Sequence, residues 1–200
     1  MRKVLVTESY LTDIGNAIRS KNNSTDKYKP SAMAAAIKNI KTQDNTAVNS
    51  IIDRTISGDY TNNEVTSVGK YAFTFCFNLQ TVTMANATDI NSNAFFSCIN
   101  LISANFPNVK TVYSSAFNNS GLTSIAFNKL VKLGSNSDYS GIFENTPMTS
   151  ISIPPTIQTI GLYAFSYSSI KTITVNRNTG AISGAPWGAA GATVNWTGTT

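Results

Sequence analysis

Few residues of this chain could carry out catalysis, and the 200-residue sequence contains no histidine. Its absence excludes Ser-His-Asp and Cys-His nucleophiles, histidine metal sites and imidazole pH sensing. Asp59 with Glu64 and Asp138 with Glu144 are acidic pairs close in sequence, and a two-carboxylate glycosidase needs only one such pair. Both pairs lie in stretches typical of surface turns, without a surrounding motif. We interpret them as solvated loop charges and predict no catalytic residue and no cofactor.

The two cysteines, Cys76 and Cys98, are 22 residues apart, and each follows a phenylalanine by three residues. Neighbouring strands lie about 4.8 Å apart, which would allow a disulfide. The simpler explanation of this common position in the repeat is that both thiols point inward and pack in the core as small apolar side chains. We predict free, buried thiols. Two cysteines without a histidine make a zinc site improbable, and we expect no bound metal.

The formal net charge of +5 is concentrated in the first quarter of the chain. Residues 1–54 carry nine Lys/Arg against five Asp/Glu, whereas residues 55–200 carry six against five. A nucleic-acid surface needs dense Lys/Arg, so we predict no nucleic-acid partner. No apolar run is long enough for a secretion signal or a membrane span. We therefore expect synthesis in the cytoplasm without export by a signal peptide, and no membrane insertion.

An internal repeat organises most of the sequence. Five phenylalanines mark its units with spacings of 22, 22, 26 and 22 residues, and each is followed five or six residues later by another apolar residue. The predicted repeat core consists of Phe73, Phe95, Phe117, Phe143, Phe165, Leu79, Leu101, Leu122, Met148 and Ile170. One unit cannot bury its apolar face alone, but stacked copies can. The sequence therefore predicts a mainly β repeat solenoid of about five 22-residue units over residues 49–180.

After each of these apolar residues, apolar positions alternate with Thr, Ser or Asn, as in a strand with one buried face. The outward positions form a ladder of short, uncharged polar groups. This ladder is either a solvated face that avoids stacked charges or a hydrogen-bonding surface for a neutral polymer such as cell-wall polysaccharide. Its candidate contact residues are Thr81, Thr83, Ser103, Asn105, Ser124, Ser150, Ser152, Thr172 and Thr174.

The one irregular interval, between Phe117 and Phe143, contains additional polar residues after Leu133. Insertions in repeat proteins map to loops, which often carry binding. Tyr139 could stack on a sugar ring while Asn136 and Asp138 hydrogen-bond to its hydroxyls. The alternative is a tolerated insertion that binds nothing.

Two segments flank the repeats. Residues 1–48 show helical spacing at Leu11, Ile14 and Ile18 and again at Met33, Ile37 and Ile40, which predicts two short helices. Helices of about ten residues are marginal alone, so we interpret this segment as an attachment element. Residues 181–200 contain the only tryptophans, Trp187 and Trp196. We predict a cap over the last repeat, with a sugar-stacking platform as the alternative.

The unit from Val65 to Met84, with the pattern V-x-S-V-G-x-Y-A-F-x-x-C-x-N-L-x-x-V-x-M, resembles the BspA-type leucine-rich repeat. The resemblance covers roughly residues 50–175, and the later units lack the Cys and the Asn. It implies a solenoid used for adhesion and recognition, without catalytic residues.

Further similarities concern the flanks. The stretches 11–19 and 29–37 resemble helical pairs that open tail-associated proteins of phages of Gram-positive bacteria, and residues 182–189 resemble the end of solenoids in such proteins. These resemblances imply a non-enzymatic virion protein of the tail, baseplate or fibre. It would contact other virion proteins through residues 1–48, form a homo-oligomer in the particle, and recognise a glycan or protein of the host surface. The alternatives are a bacterial cell-surface adhesin and, third, a polysaccharide-degrading enzyme.

Overall fold

The computed structural model describes Arg54 and residues 56–135 and 141–198, and this part of the chain is a β-solenoid of about six turns. Its elements are all strands, with no helix among the described residues. In chain order they are β1 (Gly58–Thr61), β2 (Ser67–Val68), β3 (Leu79–Thr83), β4 (Asp89–Ile90), β5 (Ser103–Asn105), β6 (Thr111–Val112), β7 (Ser124–Ala126), β8 (Lys132–Leu133), β9 (Ser150–Ile153), β10 (Thr159–Ile160), β11 (Thr172–Val175) and β12 (Thr193–Trp196). The predicted mainly β solenoid is confirmed. The predicted helices in residues 1–48 lie outside the described residues.

The strands form two walls, and all nine strand pairings among the described residues are parallel. The first wall consists of the sheet β1-β3-β5-β7 and the sheet β12-β11-β9, which adjoin at β7 and β9. The second wall is the sheet β10-β8-β6-β4-β2, whose strands have only two residues each. The first wall thus has seven strands and the second has five, and the chain alternates between the two walls from β1 to β10.

The apolar side chains of both walls point into one continuous core. The ten residues that the sequence assigned to the repeat core are all buried, with at most 2% of their surface exposed. The second wall contributes the apolar pair of each unit, for example Ala87 and Ile90, both fully buried. A unit leaves its inward residues uncovered, so each turn is stabilised mainly by the apolar surface that its neighbours remove from water.

A column of aromatic rings runs along the solenoid between the walls. The five repeat phenylalanines stack with centroid distances of 5.0 to 5.9 Å and interplanar angles of 2° to 13°. Both ends of the column are closed by edge-on rings, Tyr60 against Phe73 at 65° and Trp187 against Phe165 at 69°. Offset and edge-on rings at these distances attract each other beyond the area that they bury.

The turn that follows each phenylalanine contains a residue in the left-handed region, two positions after the ring. These residues have φ between 54° and 63° and are Phe75, Ser97, Asn119, Asn145 and Tyr167. Asparagine tolerates this conformation better than other non-glycine residues. The same φ recurs after all five phenylalanines although the residue type varies, so the residue type alone does not determine the turn geometry.

Candidate functional site

The outward positions of the first wall form two parallel columns, which we call the polar strand face. The first column follows the register Asp59, Thr81, Ser103, Ser124 in one sheet and Ser150, Thr172, Thr193 in the other. The second column follows Thr61, Thr83, Asn105, Ala126 and then Ser152, Thr174, Asn195. All nine ladder residues named from the sequence lie on this face and are exposed or half-buried. Because parallel register places equivalent residues side by side, polar groups repeat at the strand spacing of about 4.8 Å.

The polar groups of this face are largely free to bind something else. Thr81 donates a hydrogen bond from its hydroxyl to Asp59 Oδ1 at 2.7 Å. The other eight ladder residues make no side-chain hydrogen bond within the described part of the chain. Asp59, at the first strand, is the sole charged residue among the described positions of the two columns. The face therefore offers hydroxyl and amide groups, which both donate and accept, in a nearly neutral field.

The sequence analysis missed both ends of this face. Asp59 and Thr61 in β1, and Thr193 and Asn195 in β12, extend the columns by one strand on each side. Both segments do show the signal, since Asp59-Tyr60-Thr61 and Thr193-Val194-Asn195-Trp196 alternate polar and apolar residues. They lie before the first and after the last repeat phenylalanine, so the 22-residue count did not include them.

The comparison with protein families agrees with this geometry. The model described as the BspA type leucine rich repeat region (6 copies) matches residues 54–140 and 136–185. This chain belongs to the BspA-type leucine-rich repeat family. Comparisons with curated proteins and with solved structures found no match. Membership supports surface adhesion or recognition as the general role of the repeats.

The second predicted contact of this BspA-type solenoid, the inserted loop, is not part of the described structure. Asn136, Asp138 and Tyr139 lie within residues 136–140, outside the described residues. Their role in binding stays a prediction.

The two carboxylate pairs have different positions in the structure. Asp59 is the exposed acceptor of the Thr81 hydroxyl, and the backbone N–H of Glu64 donates to Asn62 Oδ1 at 3.0 Å. Glu144 accepts a hydrogen bond on Oε2 from Asn118 Nδ2 at 2.9 Å, whereas Asp138 lies outside the described residues. Over the described ranges, no group of three His, Cys, Asp or Glu residues comes together as a metal site. Nor does this part of the chain contain a helix suited to crossing a membrane.

The cysteines of this family member are both free and buried, as their shared register predicted. Cys98 Sγ donates to the carbonyl oxygen of Phe73 at 2.9 Å. The pKa of the Cys98 thiol is raised to about 12, mainly by burial and secondly by the charge interaction with the neighbouring Cys76. A thiol with this pKa stays protonated at neutral pH, so Cys98 has no character of a nucleophile.

The C-terminal segment continues the solenoid. Trp187 lies 22 residues after Phe165, is fully buried, and donates from Nε1 to the carbonyl oxygen of Ser183 at 2.8 Å. Trp196 is half-buried in β12, which pairs with β11, and its ring contacts that of Trp187 edge-on. The segment predicted to be a cap thus forms a further turn of the solenoid and adds the strand β12 to the first wall. Because Trp187 is inaccessible, the alternative of a sugar-stacking platform made by both tryptophans is wrong.

Proposed function

We propose that this BspA-type solenoid is a non-enzymatic recognition protein that binds a neutral polysaccharide of a bacterial surface along its polar strand face. The observation that carries the proposal is the pair of mainly polar columns, in register along β1-β3-β5-β7 and again along β9-β11-β12, with one charged residue. Carbohydrates present alternating donors and acceptors, which hydroxyl and amide groups match without burying a charge. Repetition of the same groups along the face suits a ligand that is itself a repeating polymer.

A charge placed in the middle of the face tests the proposal. Ser124→Arg introduces a long cation on β7, and Thr66→Arg introduces the same residue at an exposed position just before the second wall. We expect both variants to fold, and we expect only Ser124→Arg to lose binding to purified cell-wall polysaccharide in a sedimentation assay. Equal binding by the two variants would show that the strand face is not the contact surface.

We further propose that the protein is a virion component of the phage tail, baseplate or fibre, attached to other virion proteins through residues 1–48. The support is the resemblance of residues 11–19, 29–37 and 182–189 to segments of such phage proteins. When the chain is produced without residues 1–48, purified particles should lack the truncated chain. The isolated truncated chain should keep its β-sheet circular dichroism. Incorporation of the truncated chain would contradict this placement, and detection on a bacterial cell envelope instead would favour the adhesin.

The absence of catalysis is part of the proposal. We expect no reducing sugar to be released when the protein is incubated with the polysaccharide that it binds. Sustained release would favour the polysaccharide-degrading enzyme and would direct attention to the pairs Asp59 with Glu64 and Asp138 with Glu144.

A further inference from the structure

The second wall ends before the first, and this difference opens a groove. β10 is the last strand of the second wall, whereas β11 and β12 add two further strands to the first. After β11 the chain crosses the open end of the second wall without forming another strand. The resulting groove has a volume of about 740 Å³. Its lining includes Val131, Pro155, Gln158, Asn176, Arg177 and Asn178, and we call it the Arg177 groove.

Arg177 supplies the only charge among the lining residues. Its side chain is half-buried, and Nη1 donates to the carbonyl oxygen of Ile157 at 2.5 Å. This hydrogen bond holds one nitrogen of the guanidinium against the backbone of Ile157, a core residue that lies two residues before β10. A guanidinium carries five N–H donors, and its other nitrogens have no recorded partner in the described part of the chain. Several donors are thus held ready for an acceptor in the groove.

The neighbouring amide strengthens the donor character of the groove. Asn176 Oδ1 accepts a hydrogen bond from the hydroxyl of Thr197 at 2.6 Å. Its Nδ2 group therefore remains as a donor beside Arg177. None of the lining residues is acidic, so no carboxylate of the lining neutralises the guanidinium.

The backbone of Arg177 is held by the segment that follows β12. The N–H of Gly198 donates to the carbonyl oxygen of Arg177 at 3.0 Å. A Cβ atom at position 198 would lie 2.3 Å from the carbonyl carbon of Arg177, so only glycine fits against this peptide. Contacts at the guanidinium and at the backbone together preorganise the residue, which reduces the entropy lost on binding.

We propose that the Arg177 groove binds an oxyanion carried by a sugar ring, either a carboxylate or a phosphate, with Arg177 as its charge partner. A planar guanidinium pairs with both groups through two parallel hydrogen bonds. Gln158 and Asn178 suit sugar hydroxyls, while Val131 and Pro155 provide apolar surface for the C–H face of a ring. The volume is within the range of small-molecule sites. The charge partner of this site, Arg177, does not belong to the polar strand face, so either proposal can fail without the other.

The test uses the full chain and three soluble probes: digalacturonate, glucose 6-phosphate and inorganic phosphate. Binding is measured by isothermal titration for the parent chain, Arg177→Met, Arg177→Lys and Lys70→Met. Lys70→Met removes the same charge at the first turn of the solenoid, so it controls for the net charge. We expect at least a tenfold loss of affinity for the preferred sugar probe in Arg177→Met, a smaller loss in Arg177→Lys, and none in Lys70→Met.

The two sugar probes distinguish a carboxylate from a phosphate as the recognised group. Absence of binding by either sugar, or equal affinity in Arg177→Met and Lys70→Met, would overturn the proposal. Inorganic phosphate binding as tightly as glucose 6-phosphate would also overturn it, because the sugar would then contribute nothing. Should Arg177→Met fail to fold by circular dichroism, Gln158→Ala, at an exposed lining residue, provides the second variant, and unchanged sugar affinity there would count against the site.

Discussion

The rings of Phe95 and Phe117 lie parallel, with their planes 3° apart and their centroids 5.3 Å apart. Phe117 makes an equivalent contact with Phe143 on its other side, at 2° and 5.7 Å. Each ring in the middle of the column is therefore shared between two interfaces. This is why the loss of one ring should weaken three turns and not one.

The first prediction concerns Phe117→Ala. Removing a fully buried aromatic leaves a cavity and should lower the free energy of unfolding by about 3–5 kcal/mol. Chemical denaturation followed by circular dichroism gives the value. Phe77→Ala is the matched control, since Phe77 is 48% exposed and its replacement should change stability by less than about 1 kcal/mol. Similar losses in both variants would mean that the column does not organise the core.

A second prediction follows from Ser120, whose buried hydroxyl oxygen has no hydrogen-bond partner among the described residues. It occupies the position that Cys76 and Cys98 hold in the preceding units, three residues after the phenylalanine. Ser120→Ala and Ser120→Cys should each raise the free energy of unfolding by about 1 kcal/mol, because a buried polar group without a partner is costly.

The equivalent hydroxyl of Thr146 provides the control for this prediction. It donates to the carbonyl oxygen of Phe143 at 2.7 Å, so Thr146→Val should instead lower stability by about 1 kcal/mol. Destabilisation by Ser120→Ala in thermal melts would show that the Ser120 hydroxyl does find a partner, such as an ordered water.

The third prediction is a pH dependence due to Cys98. Burial raises the pKa of this thiol from 9.0 to about 12, so between these values the unfolded chain loses the proton while the folded chain keeps it. The unfolded state then binds fewer protons, and stability falls as pH rises from about 9 to 12. Cys98→Ala should reduce this slope by up to about 1.4 kcal/mol per pH unit. Urea titrations at pH 8 and 10.5 measure it, and identical pH dependence in both chains would contradict the assignment.

The fourth prediction concerns the last turn. Trp187→Ala removes the edge-on ring that closes the aromatic column, so β12 should detach from β11 while the earlier turns stay folded. The remaining tryptophan, Trp196, should then show red-shifted fluorescence that acrylamide quenches readily. Trp187→Phe, which restores the residue type of the other five units, should largely preserve the spectrum of Trp196. Full unfolding of the Trp187→Ala chain would mean that the last turn is not an independent edge of the array.

The repeat and its strands could be predicted because local spacing and stacking require the same pattern. In each unit, as in Thr81-Val82-Thr83-Met84, alternation of polar and apolar residues already determines that residues such as Val82 and Met84 face the core. Repetition of that unit then determines parallel pairing, since only a neighbouring copy can cover Val82. The nine ladder residues named from the sequence and the inward position of both cysteines followed from the same argument.

The contacts that the sequence could not predict lie at the end of the array, where the repeat stops. Trp187 was assigned to a cap because its residue type differs, yet the structure places it at the sixth position of the phenylalanine column. The Arg177 groove exists because the second wall lacks a strand after β10, and no local pattern around Arg177 indicates that the Ile157 carbonyl, 20 residues earlier, is its partner. Periodicity specifies contacts between equivalent positions, whereas the ends of an array bring together non-equivalent residues, and only the tertiary structure decides which of these meet.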